Sequence, residues 1–352
     1  MFKINSLIFS ALLFYFFIFN LNAQQGTVVN TGKTQPAWVD NVDSVYSRSL
    51  FIAAVGSGSN RDMAERSATA NLTGIFGQSI QADQTIVNTY QEAVRNGVTQ
   101  GWSDDIAMNN TIRTSASIDS LIGAEIREIW QETKNRNIVF YAVAVMDKAK
   151  TAQIYRDMLN ANQNLINNLV NMNQNEKNSF EGYSRYQFAA VIADITITYA
   201  NVLSVIDTPV TGLKRGNDYR LEAQNIVKAI PIGISVKNDK SARIQGAFAK
   251  AISELGFRSG GTNSRYVLNV NVVLSASEHP TNASKFVRME LEANLTDTIS
   301  KDVLLPFNFS NREGHNTASE AENRCFLAAE RKIKEEYKDL LFNYFSQLTP
   351  KK

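Results

Sequence analysis

"FIAAVGSGSNRDMAERSATANL" runs from Phe51 to Leu72. An apolar stretch, Phe51–Val55, meets Gly56 and Gly58 and then Ala64, Ala68 and Leu72 at helical spacing. The pattern predicts a strand over 51–55, a turn over Gly56–Asn60 and a helix from Arg61 to about Gln81. Small alanines on the helix suit close packing against a sheet. Strand, glycine turn and helix is also the layout that cradles phosphate. Here the spacing fails, because the dinucleotide fingerprint needs a third glycine where Arg61 stands. The phosphate-loop motif needs Lys-Ser or Lys-Thr after its last glycine, and "GSGSNRDMAE" has neither. The glycines are therefore read as serving backbone geometry, since turns of this kind often need a positive φ. The alternative is a small anionic ligand held at the Gly56–Asn60 turn; saturable stabilisation by nucleotides or phosphosugars, lost on Gly58→Val, would mark it.

Before this stretch, Lys3 precedes the apolar run Leu7–Phe19, and "LNA" (Leu21–Ala23) leads into polar sequence. This is the layout of a secretory signal, expected over residues 1–23 with cleavage after Ala23, and too short for a comfortable membrane span. No integral span is expected once it is removed; the alternative is a leader retained uncleaved as an anchor. Gln24–Pro36 reads as an extended tether, and "PAWV" (Pro36–Val39) offers Trp38 for docking.

After the stretch, Gln84–Ser103 suggests a helical segment with a loop at "NGVTQGWSDD", and Met108–Ile118 a strand. "LIGAEIREIWQET" reads as a strand with a bulge, because Ile126 and Ile129 break alternation. "KNRN" is a hairpin turn into "NIVFYAVAVM", the strongest strand pattern. Asp147 caps a long helical run, and a second run, Ser179–Ser204, completes an antiparallel hairpin. "DTPVTGLKRGND" (Asp207–Asp218) is the boundary to a β-α-β-β-β-α pattern with helices on one face, Pro306 in an edge strand, and a last helix from Thr317 to about Leu348. The fold class expected is α+β: a sheet-plus-helix domain over 35–150, a helical hairpin over 151–206 and a second α+β domain over 217–350.

The formal charge of +2 and the absence of a polybasic run argue against nucleic acid as a partner. Two histidines, His279 and His315, and one cysteine, Cys325, give no ligand-spaced pair, so no metal and no cofactor is expected. Cys325 lies in a helical pattern and reads as a small core residue. No G-x-S-x-G nucleophile motif is present, and the sequence makes no positive case for an enzyme. "NREGHNTASEAENR" holds Arg312, Glu313 and His315; an acid/base pair is conceivable, and a solvated loop before a capped helix explains it more simply. In such a loop Arg312→Ala or His315→Ala should leave folding nearly intact. Trp130 reads as core, and Trp102 in "QGWSDD" as a surface anchor or a lid. The candidate interaction or ligand positions are thus Trp38, Gly56, Gly58, Trp102, Arg312 and His315.

Taken together, "PAWV", the Phe51–Leu72 stretch, "GAEIREIWQE" and "NIVFYAVAVMDKAK" resemble the LPP20-type bacterial envelope family, and also the N-terminal domain of the flagellar assembly protein T. The resemblance covers about residues 35 to 150 and part of the helical run after them. It implies a secreted or envelope-anchored protein, periplasmic or associated with the outer membrane, without catalysis. Its expected partners are envelope or flagellar-base proteins, or a second copy of the chain. No cysteine stands at the cleavage point, so lipid anchoring is not expected. The later sheet-and-helix pattern is similar to small modules of periplasmic envelope-assembly proteins.

Overall fold

The computed structural model describes residues 28–30, 34–76, 121–134, 137–277 and 284–348. The fold is α+β, with two separate sheets. The first has strand order β1-β3-β4-β2, formed by β1 (Val28–Asn30), β2 (Phe51–Gly58), β3 (Ala124–Lys134) and β4 (Asn137–Asp147). Short helix α1 (Ala37–Asp40) precedes β2, and α2 (Arg61–Ile75) follows it.

The strand of the opening stretch runs through both glycines instead of ending before them. Gly56 pairs with Ala142 and Gly58 with Phe140 in the antiparallel ladder to β4. Neither has a positive φ, unlike Gly123, Gly212 and Gly256. The need for glycine is steric. A Cβ on Gly56 would sit within the backbone of Ser67 and Ala68, and one on Gly58 would lie 2.7 Å from the amide nitrogen of Ala64. Ala64, Ala68 and Leu72 are fully buried where α2 meets the sheet. Asn71 ties the helix down by donating to the Val55 carbonyl at 2.8 Å.

The expected bulge occurs between Ile126 and Glu128. It shifts the face of β3: Ala124 and Ile126 pack on the α2 side, and beyond the bulge Ile129 takes over that role. Glu128 and Trp130 consequently point to the opposite face, where Trp38, Tyr46, Val143 and Val145 form a second small core. This sheet is therefore covered on both sides.

Asp147 accepts from the Lys150 amide and starts α3 (Lys148–Val170). After α4 (Gln174–Lys177), Ser179 caps α5 (Phe180–Ile206), which packs against α3 with Tyr155 against Tyr199 and Asn162 bonded to Thr196. Helix α5 is long and apolar enough to cross a membrane, with a mean hydropathy of 1.7, yet 61% of that window is buried in the protein. Its first residue, Phe180, stacks on Tyr266 in the C-terminal core, and Phe188 to Ala193 meet Ile166 and Tyr219. Its last turns, Tyr199 to Ile206, join the core of the first sheet. A helix buried on every side reads as apolar all round. One element thus enters three cores.

Helix α6 (Gly216–Ala229) was not apparent in the sequence and packs on α5 through Tyr219, Ala223 and Ile226. Asp194 of α5 receives the Gly216 amide at 3.0 Å and pairs with Arg220. The second sheet follows, with order β6-β5-β7-β8-β9, from β5 (Ile232–Lys237), β6 (Ser259–Gly260), β7 (Tyr266–Ser277), β8 (Lys285–Asp297) and β9 (Val303–His315). Helices α7 (Arg243–Glu254), α8 (Ala318–Lys332) and α9 (Lys338–Gln347), with a π-helical turn at Ile333–Tyr337, cover one of its faces. The Thr317 hydroxyl accepts from the Glu320 amide at the start of α8. Pro306 lies on β9, the edge strand, where a missing N–H costs the ladder nothing.

Candidate functional site

The residues singled out in the sequence do not converge. Gly56 and Gly58 lie in the β2 ladder under α2. The helix N-terminus beyond them is capped by the Asn60 side chain, which accepts from the Met63 amide at 2.9 Å, and its first turn carries Asp62. Gly58→Val is accordingly a probe of packing, not of ligand binding. Trp38 is 1% exposed and donates its Nε1 hydrogen to Glu128 at 3.0 Å, while the Tyr46 hydroxyl donates to the other Glu128 oxygen at 2.7 Å. Burial, followed by the Glu128 bond, raises the Tyr46 phenol above its ordinary value. The Glu128 carboxylate thus serves as an internal brace for the lid of the first sheet. Trp130 is buried, as expected, and Trp102 and His279 lie outside the described residues.

Arg312 and His315 lie in β9 and not in a loop. The strand extends through "NREGH" because β8 offers a full-length partner, pairing Arg288 with Arg312 and Lys285 with His315. Alternation then separates the two: Arg312 is exposed on the free face, and His315 is half-buried on the helix side with Glu313 and Asn311. Asn311 donates to Glu313 at 3.2 Å, and the buried Nδ1 of His315 has no hydrogen-bond partner. Cys325 is fully buried beneath this strand, and burial pushes its thiol up. Among the described residues, no group of three or more His, Cys, Asp or Glu side chains is placed to hold a metal.

The surface that does bring polar side chains together is the uncovered face of the second sheet. Along β8 the odd positions Val287 to Leu295 are buried, and Arg288, Glu290 and Glu292 are exposed. Register places them in rows across the strands. Lys237, Asn271, Glu292 and Asn308 form one row, and Val273, Glu290 and Ser310 the next. Ser275, Arg288 and Arg312 follow, then Ser277, Phe286 and Gly314. Asn271, Val273, Glu290, Glu292, Asn308 and Ser310 line a shallow groove of about 460 Å³. At the end of the face, the Phe286 ring lies over Gly314, where a Cβ would collide with it, and the Arg312 guanidinium stacks on that ring at 4.6 Å.

On β8 and β9 like charges are grouped, while Lys237 of β5 lies two strands away in the Glu292 row. Glu290 and Glu292 are neighbours on one strand, and Arg288 stands directly across from Arg312. Like charges placed opposite one another disfavour a strand pair. Within the chain Arg288 approaches Glu290 at 3.8 Å, between side chains more than half exposed. Exposed pairs of this kind contribute little. The sequence signal for the face was the alternation in "KFVRMELEANLTDT", whose central charged positions Arg288, Glu290 and Glu292 fall on one side while Lys285 and Asp297 fall on the other.

Where β5 passes to α7, Asn238, Ser241 and Ala242 have left-handed backbones with φ of 60, 62 and 53°. Asp239 accepts there from the amides of Ile244 and Gln245, so the start of α7 already holds the chain's own carboxylate.

No family model matches the chain, and no curated protein matches it. Among solved structures, a secreted protein of Helicobacter pylori aligns at a TM-score of 0.36 and 15% identity, over 81% of this chain and 98% of that one. A minor lipoprotein of Acinetobacter baumannii aligns at 0.24 and 12% identity, over 33% of this chain and 92% of its own. A lipoprotein of Neisseria meningitidis aligns at 0.21 and 15% identity, over 30% and 97% respectively. These neighbours are bacterial secreted or lipoprotein chains; scores this low transfer no function to the present one.

Proposed function

We propose that the chain is an exported protein of the bacterial envelope, periplasmic or associated with the outer membrane, that works by protein–protein contact and without catalysis. Its role is that of a scaffold or accessory factor of the envelope or flagellar base. The observation that carries this reading is the open face of the second sheet: wide, shallow, polar and sorted by charge, a shape suited to another macromolecule's surface. The secretory-type sequence over 1–23 and the resemblance over 35 to 150 support the setting.

The test follows the native protein. Cell fractionation with N-terminal sequencing should recover a chain starting at Gln24 in the periplasmic or outer-membrane fraction. A photo-crosslinker at Asn308 should then capture a defined protein, and the same probe at buried Ala329 should not. A full-length product confined to the cytosol would overturn the export reading. Equal labelling from both positions would overturn the contact reading.

A further inference from the structure

We propose that the open face of the second sheet docks on the same face of a second copy, forming a two-fold dimer. This rests on the reading that the chain works by protein contact and names the partner.

The charge order of the face points to this occupant. On β8 and β9 the rows set Arg288 against Arg312 and Glu290 beside Glu292, so like charges are grouped there, with Lys237 of β5 two strands away from Glu292. A face that groups its charges in adjacent bands is complementary to its own copy when a two-fold axis runs between the bands. Here that axis lies between the two sheets, across the strands, midway between the Arg288 row and the Glu290 row. It sets β8 antiparallel to its copy, so that Arg288 lies over the second copy's Glu290 and Glu290 over the second copy's Arg288. The next rows outward bring Phe286 and Glu292 together. Sheets packed face to face lie about 10 Å apart with strands nearly aligned, a gap that arginine and glutamate side chains span from both sides. Arg288 and Glu290 are 56% and 61% exposed, and Val273 at 45% adds an apolar contact beside them. The free face is also the one that no helix of the chain covers among the described residues.

Sedimentation of the mature chain, at low salt and at high salt, tests the proposal. The expected result is a dimer that weakens as salt rises. Arg288→Glu and Glu290→Arg should each weaken it by about tenfold or more, because each places like charges together at two symmetric points. The two changes combined should restore it to within about threefold of the parent, since the exchanged pair is again opposite in sign. Both sites are exposed, and unchanged melting of each variant separates a lost contact from a lost fold. A chain that stays monomeric, or a dimer indifferent to both single reversals, overturns the proposal. A monomer that still crosslinks a different envelope protein through Asn308 leaves the contact reading standing; a monomer that captures nothing overturns both.

Discussion

The two sheets solve the same problem differently. In the middle of β4 every side chain of the first sheet is covered: Val143 and Val145 by the Trp38 side, Ala142, Ala144 and Met146 by the helices. The second sheet buries Leu268, Val270 and Val272 on one side and leaves Asn269, Asn271 and Val273 to solvent on the other. The difference is visible as an unbroken apolar run in "AVAVM" against the alternation in "LNVNV". A doubly covered sheet is a packing device, sensitive to volume on both faces. A singly covered sheet keeps a face on which residues can change freely, and that is where recognition can be built.

The comparison breaks hardest at Trp38. Trp38→Ala empties the lid of the first sheet and leaves Glu128 without one of its two donors. The expected loss is about 4 kcal/mol, read as a shift of the urea midpoint. Gly56→Ala attacks the opposite face. Its methyl would meet the backbone of Ser67 and Ala68, which cannot rotate aside, so α2 must lift from the strand. We expect about 3 kcal/mol. If Gly56→Ala melts like the parent, close approach is not why glycine stands there.

How much of this the sequence shows depends on whether one physical cause dominates a segment. The β3–β4 hairpin, its bulge and the Asp147 cap were legible because each rests on local pattern. So were the alternating strands of the second sheet and the edge position of Pro306. The two glycines were recognised as structural for the wrong reason: sequence shows that a Cβ is absent and not whether φ or a neighbouring helix demands it. Helix α6 went unseen because "GND" reads as turn punctuation, although Tyr219, Ala223 and Ile226 carry the helical period. At Gly216 the lost Cβ makes room for the Asp194 carboxylate, a tertiary cause. "NREGH" looked like a loop because an edge strand with one free face can be polar throughout and still pair along its whole length. The candidate site was therefore legible as alternation and illegible as charge order, which needs the register between β8 and β9.

A smaller effect tests the Glu128 brace by pH. Tyr46 is raised by burial and by its bond to Glu128, so the folded state keeps a proton that the unfolded chain loses near the ordinary phenol value of 10.0. The contribution is complete below that pH and declines as pH rises above it. Tyr155 and Tyr337, raised chiefly by burial, act in the same direction. Tyr46→Phe should cost about 1 kcal/mol at neutral pH and make the decline above pH 10 shallower by one titrating group. An alkaline decline of equal slope in parent and variant would show that the brace does not hold the phenol protonated.

The smallest effect belongs to the open face. Asn271→Ala and Asn308→Ala remove side chains that no helix covers among the described residues, in strands whose ladders and buried faces are untouched. Each should move stability by less than about 0.5 kcal/mol in dilute monomer. The same two asparagines line the groove beside Glu290 and Glu292, so in concentrated protein they should alter association more than folding. That split is what separates a recognition face from a packing face. A loss of several kcal/mol in the dilute chain would mean that the second sheet, like the first, is covered on both sides.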